Sequence, residues 1–108
     1  MAVPHANSGE VIDVRPLGVA LAQARTTTLV KTKTLEIIRL VIPSGRDISS
    51  HQAHGEITVQ CLEGRVAFSV GNTRRDLEAG QFLYLSPEEP HSLQGIEDAS
   101  ILLTILLR

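Results

Sequence analysis

The sequence predicts an all-β fold, a single antiparallel β-barrel or jelly roll, and three observations predict it. β-branched residues are dense and alternate with other types in short runs. Gly and Pro interrupt those runs every few residues. One stretch alone, 17-LGVALAQA-24, has a helical pattern, and it lasts about two turns.

The elements follow in order. Residues 1–10, MAVPHANSGE, are polar and read as a flexible tail with His5 in solvent. After the short helix, 26-TTTLVKTKTLEIIRLVI-42 alternates over Leu35, Ile37, Arg39 and Val41, the pattern of strands. Pro43 to Arg46 is a turn. Ser49 to Cys61 reads as largely extended, with a strand from Ile57 to Leu62 and a tight turn at Glu63-Gly64. Arg65 to Val70 alternates Val66, Phe68 and Val70, and Gly71-Asn72 suits a two-residue hairpin. Further strands are expected at Arg74 to Leu77, Phe82 to Leu85, His91 to Gly95 and Ser100 to Leu107. Phe68, Phe82 and Tyr84 are expected in the core, Arg74 and Arg75 on a hairpin surface, and Glu88 and Glu89 in a solvated turn.

Composition bounds the function. The 108 residues form one domain, 1–108, with 43% apolar and 20% charged residues, as in a soluble globular protein. A formal net charge of -2 gives no electrostatic basis for binding nucleic acid or an anionic membrane. The longest apolar run, 101-ILLTILL-107, is too short to span a bilayer. No secretory leader is visible, and Cys61 is alone, so an internal disulfide is excluded and a cytoplasmic location is expected. The last strand is apolar on both faces. One face fills the barrel, the other needs cover, and a homodimer is the expected source of it.

Parity then sorts the candidate site residues. In an extended 49–61 segment, His51, Ala53, Gly55, Ile57, Val59 and Cys61 share the apolar, inward face. Gln52, His54, Glu56, Thr58 and Gln60 share the other. His51 therefore points inward, and His54 points away unless a bulge at Gly55 re-aims it. Glu56 falls on the wrong face for an interior ligand. Cys61 reads as a small buried residue rather than a nucleophile. His91, just after Pro90 at a strand start, can reach a pocket mouth.

Two segments, 45-GRDISSHQAHGEITVQCLEG-64 and 80-GQFLYLSPEEPHSLQG-95, resemble the two signature motifs of the cupin superfamily. The first motif runs Gly, five residues, His-x-His, three or four residues, Glu, six residues, Gly; Gly45, His51 and Gly64 match it, while Ala53 and Ile57 replace the second His and the Glu. In the second motif Gly80 and His91 match, while Ser86, Glu88 and Gly95 stand where Pro, Gly and Asn are expected. The fifteen residues from Arg65 to Ala79 fit the spacing of small bacterial cupins. The resemblance implies an RmlC-like barrel, the double-stranded β-helix, with its motif core at 45–95 and a degenerate metal motif. It implies a small-molecule pocket inside the barrel, lined by His51, His91 and Tyr84. A divalent metal (Zn, Ni, Fe or Mn), if held, would be held weakly by His51 and His91, joined by His54 only through a bulge. Three function classes stay open: a binding protein for an unidentified small molecule, an enzyme, or a structural subunit whose pocket is vestigial. The enzyme is either a metal-dependent oxygenase or isomerase with an incomplete ligand set, or a metal-free histidine acid-base catalyst.

Overall fold

The computed structural model describes residues 5–51 and 54–107, with the backbone alone for 49–51. Among the described residues nine strands form two antiparallel sheets. They are β1 (Thr27–Lys31), β2 (Leu35–Ile42), β3 (Asp47–His51), β4 (Ile57–Glu63), β5 (Arg65–Val70), β6 (Thr73–Glu78), β7 (Phe82–Leu85), β8 (His91–Gly95) and β9 (Ala99–Leu106). The larger sheet has the order β1-β2-β9-β4-β7, the smaller β3-β8-β5-β6. The predicted all-β barrel is observed.

Alternation builds the core. Ile57, Val59 and Cys61 of β4 face inward with Ile42, Ala99 and Ile101, against Val66, Phe68, Leu77 and Leu93 of the smaller sheet. Among the described residues eleven buried apolar side chains form this one cluster, a packed core between the two sheets. The Gly71-Asn72 hairpin joins β5 to β6 with Val70 opposite Thr73, as the sequence predicts. No described helix is long and apolar enough to cross a membrane.

Three expectations change. The extended run from Ser49 to Cys61 is broken: β3 ends at His51 in one sheet, β4 begins at Ile57 in the other, and residues 54–55 bend between them. Gly55 explains where the corner lies. A Cβ there would stand 1.9 Å from the Leu106 carbonyl oxygen, so the chain passes β9 closer than any side chain allows. Parity cannot be counted through that corner. Second, Phe82 and Tyr84 are 66% and 53% exposed rather than core residues. They pair with Gln60 and Thr58 on the outer face, and the inward places on β7 go to Leu83 and Leu85. Third, the helix is a 3-10 helix, Gly18–Gln23, with no side-chain cap, anchored by buried Leu21.

That helix belongs to a strap across the outside of the larger sheet. Glu63 fastens it: its carboxylate accepts the Leu17 and Gly18 amides at 2.9 and 3.1 Å and the Ser100 hydroxyl at 2.6 Å. Within the described part of the N-terminal tail, Ala6 donates to the Leu29 carbonyl at 2.9 Å, and His5 is exposed.

Candidate functional site

One end of the barrel gathers the ends of β3 and β7 and the starts of β4 and β8. His91 opens β8 here. It is 5% exposed, and its ring stacks on fully buried Phe68, with centroids 5.4 Å apart and planes inclined by 15°. His91 Nδ1 lies 3.1 Å from the Glu89 carbonyl oxygen. A carbonyl can only accept, so Nδ1 carries the proton, and in the neutral ring Nε2 carries the lone pair. The tautomer and the ring plane are thus both set by the protein.

His51 and His91 are direct partners across the β3–β8 ladder. The two histidines picked out from the motifs are therefore neighbours in the backbone, while the His51 side chain and Ala53 lie outside the described residues. Ile57, at the motif's glutamate position, is 3% exposed and packed in the core. The Cys61 thiol is fully buried, donates weakly to the Glu63 carbonyl at 3.5 Å, and burial pushes its pKa up. It is a core residue, as its parity predicts.

His54 faces outward, its side chain 87% exposed, with Nδ1 3.5 Å from Glu88 Oε1. The corner at Gly55 serves the close approach to Leu106 rather than turning His54 inward. Tyr84 also lies outside the interior; its hydroxyl donates to Glu56, which raises the phenol's pKa. Tyr84 can meet a ligand only from the rim, not from the pocket wall that the resemblance implies. Glu88, expected only as a solvated turn residue, is the surprise. It has φ 66°, the left-handed region that non-glycine residues rarely enter. The motif's glycine conformation survives although the glycine does not. Gly95, in the motif's Asn place, is explained by crowding: a Cβ there would lie 2.3 Å from the Pro43 carbonyl oxygen. The sequence does not mark Glu56 and Glu88 as rim groups, because their partners, Tyr84 and His54, come from distant parts of the chain.

The usual cupin ligand set of three histidines and a glutamate does not fit this donor inventory. The carboxylate is replaced by a core isoleucine, and His54 faces solvent. Among the described residues no three His, Cys, Asp or Glu side chains group to hold an ion.

The sequence profile of the cupin domain matches residues 38–106, and the chain belongs to the cupin family. None of the proteins of curated function matches it. Solved structures do. A cupin superfamily protein from Desulfitobacterium hafniense superposes with a TM-score of 0.79 at 19% identity, covering 95% of this chain and 100% of its own. An RmlC-like cupin with a double-stranded β-helix fold from Methanocaldococcus jannaschii gives 0.74 at 15%, covering 92% and 94%. Salicylate 1,2-dioxygenase from Pseudoaminobacter salicylatoxidans gives 0.69 at 18%, covering 74% of this chain and 25% of the enzyme. At these identities the likeness carries the fold alone.

Proposed function

We propose that this cupin binds a small organic molecule at the barrel end where His51 and His91 meet. One observation carries the reading: His91 is a buried imidazole, stacked on Phe68, with its proton fixed on Nδ1 by the Glu89 carbonyl. A polar group is held in one orientation against an apolar wall, which is how small-molecule sites gain specificity. Glu56 and Glu88 at the rim carry negative charge, so the reading favours a neutral or cationic molecule over an anion. The test is native mass spectrometry of the protein as purified, followed by the same measurement on His91→Gln. A bound small molecule that is lost in the variant supports the site. A molecule retained equally by the variant would place the site elsewhere.

The enzyme reading rests on the same histidine. An imidazole whose Nδ1 donates to a carbonyl has Nε2 as the atom at which a proton is taken or given. For a divalent ion, His51 and His91 are the proposed ligands, and two imidazoles without a carboxylate hold it weakly. Dialysis against a chelator should strip any zinc, nickel, iron or manganese while the far-ultraviolet circular dichroism stays unchanged. Ala53→His with Ile57→Glu should raise metal affinity in calorimetry, by restoring the two missing donors. A metal that survives chelation and His51→Ala would overturn this assignment.

A further inference from the structure

Away from the barrel end, the strap segment from Asp13 to Leu17 and Arg39 of β2 enclose a cleft of about 540 Å³. Arg39 sits on the outer face of the larger sheet, in register with Leu102, and is only 9% exposed. Its Nη2 donates to the Arg15 carbonyl at 2.9 Å. Its Nε is buried and has no acceptor among the described residues. Burying a guanidinium N–H without an acceptor is costly, and such a group calls for an explanation.

The neighbouring carboxylates do not supply the missing acceptor. Glu63 is committed to the Leu17 and Gly18 amides and to Ser100. Asp13 is committed to Arg15, whose Nε and Nη2 reach it at 3.0 and 2.7 Å. The cleft lining itself carries two arginines, Arg15 and Arg39, against one carboxylate, Asp13, a surplus of one positive charge that matches a monoanion rather than a dianion. What remains is one strong donor, Arg39 Nε–H, on the guanidinium edge whose other N–H is taken by a carbonyl. A single ligand oxygen at that edge would supply the missing acceptor. The Arg15 side chain is exposed and, among the described residues, is held through its ion pair with exposed Asp13, so the guanidinium can turn to meet a second oxygen.

We propose that this cleft is a second binding site, specific for a small monocarboxylate, in which Arg39 Nε and the Arg15 guanidinium each take one oxygen. The site is separate from the barrel end and does not depend on what binds there.

The test uses the full chain, labelled with nitrogen-15, and follows the arginine Nε–H cross-peaks during titration with sodium acetate. Sodium chloride at matched ionic strength is the control, and sodium phosphate is the dianion probe. Acetate should move the Arg39 cross-peak saturably and raise the unfolding midpoint, where chloride does neither. Arg39→Lys keeps the charge but removes the Nε–H, and should weaken acetate binding at least tenfold. Should that variant fail to fold, Asp13→Asn serves instead: it frees Arg15 and should tighten acetate binding several-fold. His91→Gln should leave acetate binding unchanged, which separates this site from the barrel end. An Arg39 cross-peak that chloride moves as far as acetate does would overturn the proposal. So would tighter binding of phosphate than of acetate, or acetate binding that is the same in both arginine-cleft variants.

Discussion

Glu88 holds a left-handed backbone at φ 66° without being glycine. That conformation costs a residue with a Cβ about 1–2 kcal/mol, part of which a glycine returns as lost chain entropy. Glu88→Gly should therefore stabilise the fold by about 0.5–1 kcal/mol in urea unfolding. An unchanged or lower midpoint would mean that the contact with His54 outweighs the strain. Phe68 acts in the opposite direction. It is fully buried and forms the wall on which His91 stacks. Phe68→Ala should cost about 3–5 kcal/mol. The His91 ring should also lose its fixed plane, visible as changed imidazole resonances in NMR. His91 could be found in the sequence because its spacing from Gly80 and Pro90 is a pattern of residue types. Glu88 could not, since a positive φ is written in the sequence only when glycine marks it.

At the level of elements, Glu63 is the fastening of the strap. Burial alone would raise its pKa; the Leu17 amide, the Ser100 hydroxyl, the Gly18 amide and the charge of Arg39 outweigh that and lower it. A carboxyl whose pKa is lower folded than unfolded stabilises fully above its unfolded value and loses that contribution as pH falls through the folded value. The protection of the Leu17 and Gly18 amides, measured relative to the intrinsic exchange rate at each pH, should fall as the solution is acidified below about pH 4. In Glu63→Gln that protection should be low at every pH, with a loss of about 1–2 kcal/mol in stability. Protection that ignores both the variant and the pH would show that Glu63 does not hold the strap. The sequence shows Glu63 only as half of a turn, since the Leu17 amide it binds is 46 positions away. Strands were legible where alternation ran unbroken, as in β4 and β5. They were not at the Gly55 corner, which exists because β9 passes beneath it. Tyr84 was misplaced for a related reason: in a strand as short as β7, either set of alternate residues could supply the inward face.

At the level of the molecule, the outside of the larger sheet has no charged side chain within a patch of three neighbouring strands, Glu56 standing at its edge. Leu102, Thr104 and Leu106 of β9 lie beside Thr58 and Gln60 of β4, and those beside Phe82 and Tyr84 of β7. Phe82, Tyr84 and Leu106 are exposed on it. A second copy of the chain is the partner we propose for this face, since Phe82, Tyr84 and Leu106 are exposed there and the charge of Glu56 lies at the edge of the face, against the Tyr84 hydroxyl. Light scattering at micromolar concentration should give twice the chain mass, and Leu106→Glu should give the monomer. A monomeric parent protein would end the proposal.

β9 has one further consequence, which concerns time rather than shape. It lies in the middle of the larger sheet, pairing with β2 on one side and β4 on the other. Until Ala99 to Leu106 have left the ribosome, the β1–β2 and β4–β7 pairs have nothing to join them, and the apolar residues they share with β9 stay wet. The sheet closes only when its central piece arrives last, joining Leu35 to Leu106 across most of the chain. Such distant pairings make folding slow. The nascent chain waits with its hydrophobic strands uncovered, and it is in that interval, rather than in the finished barrel, that this protein is most exposed to aggregation.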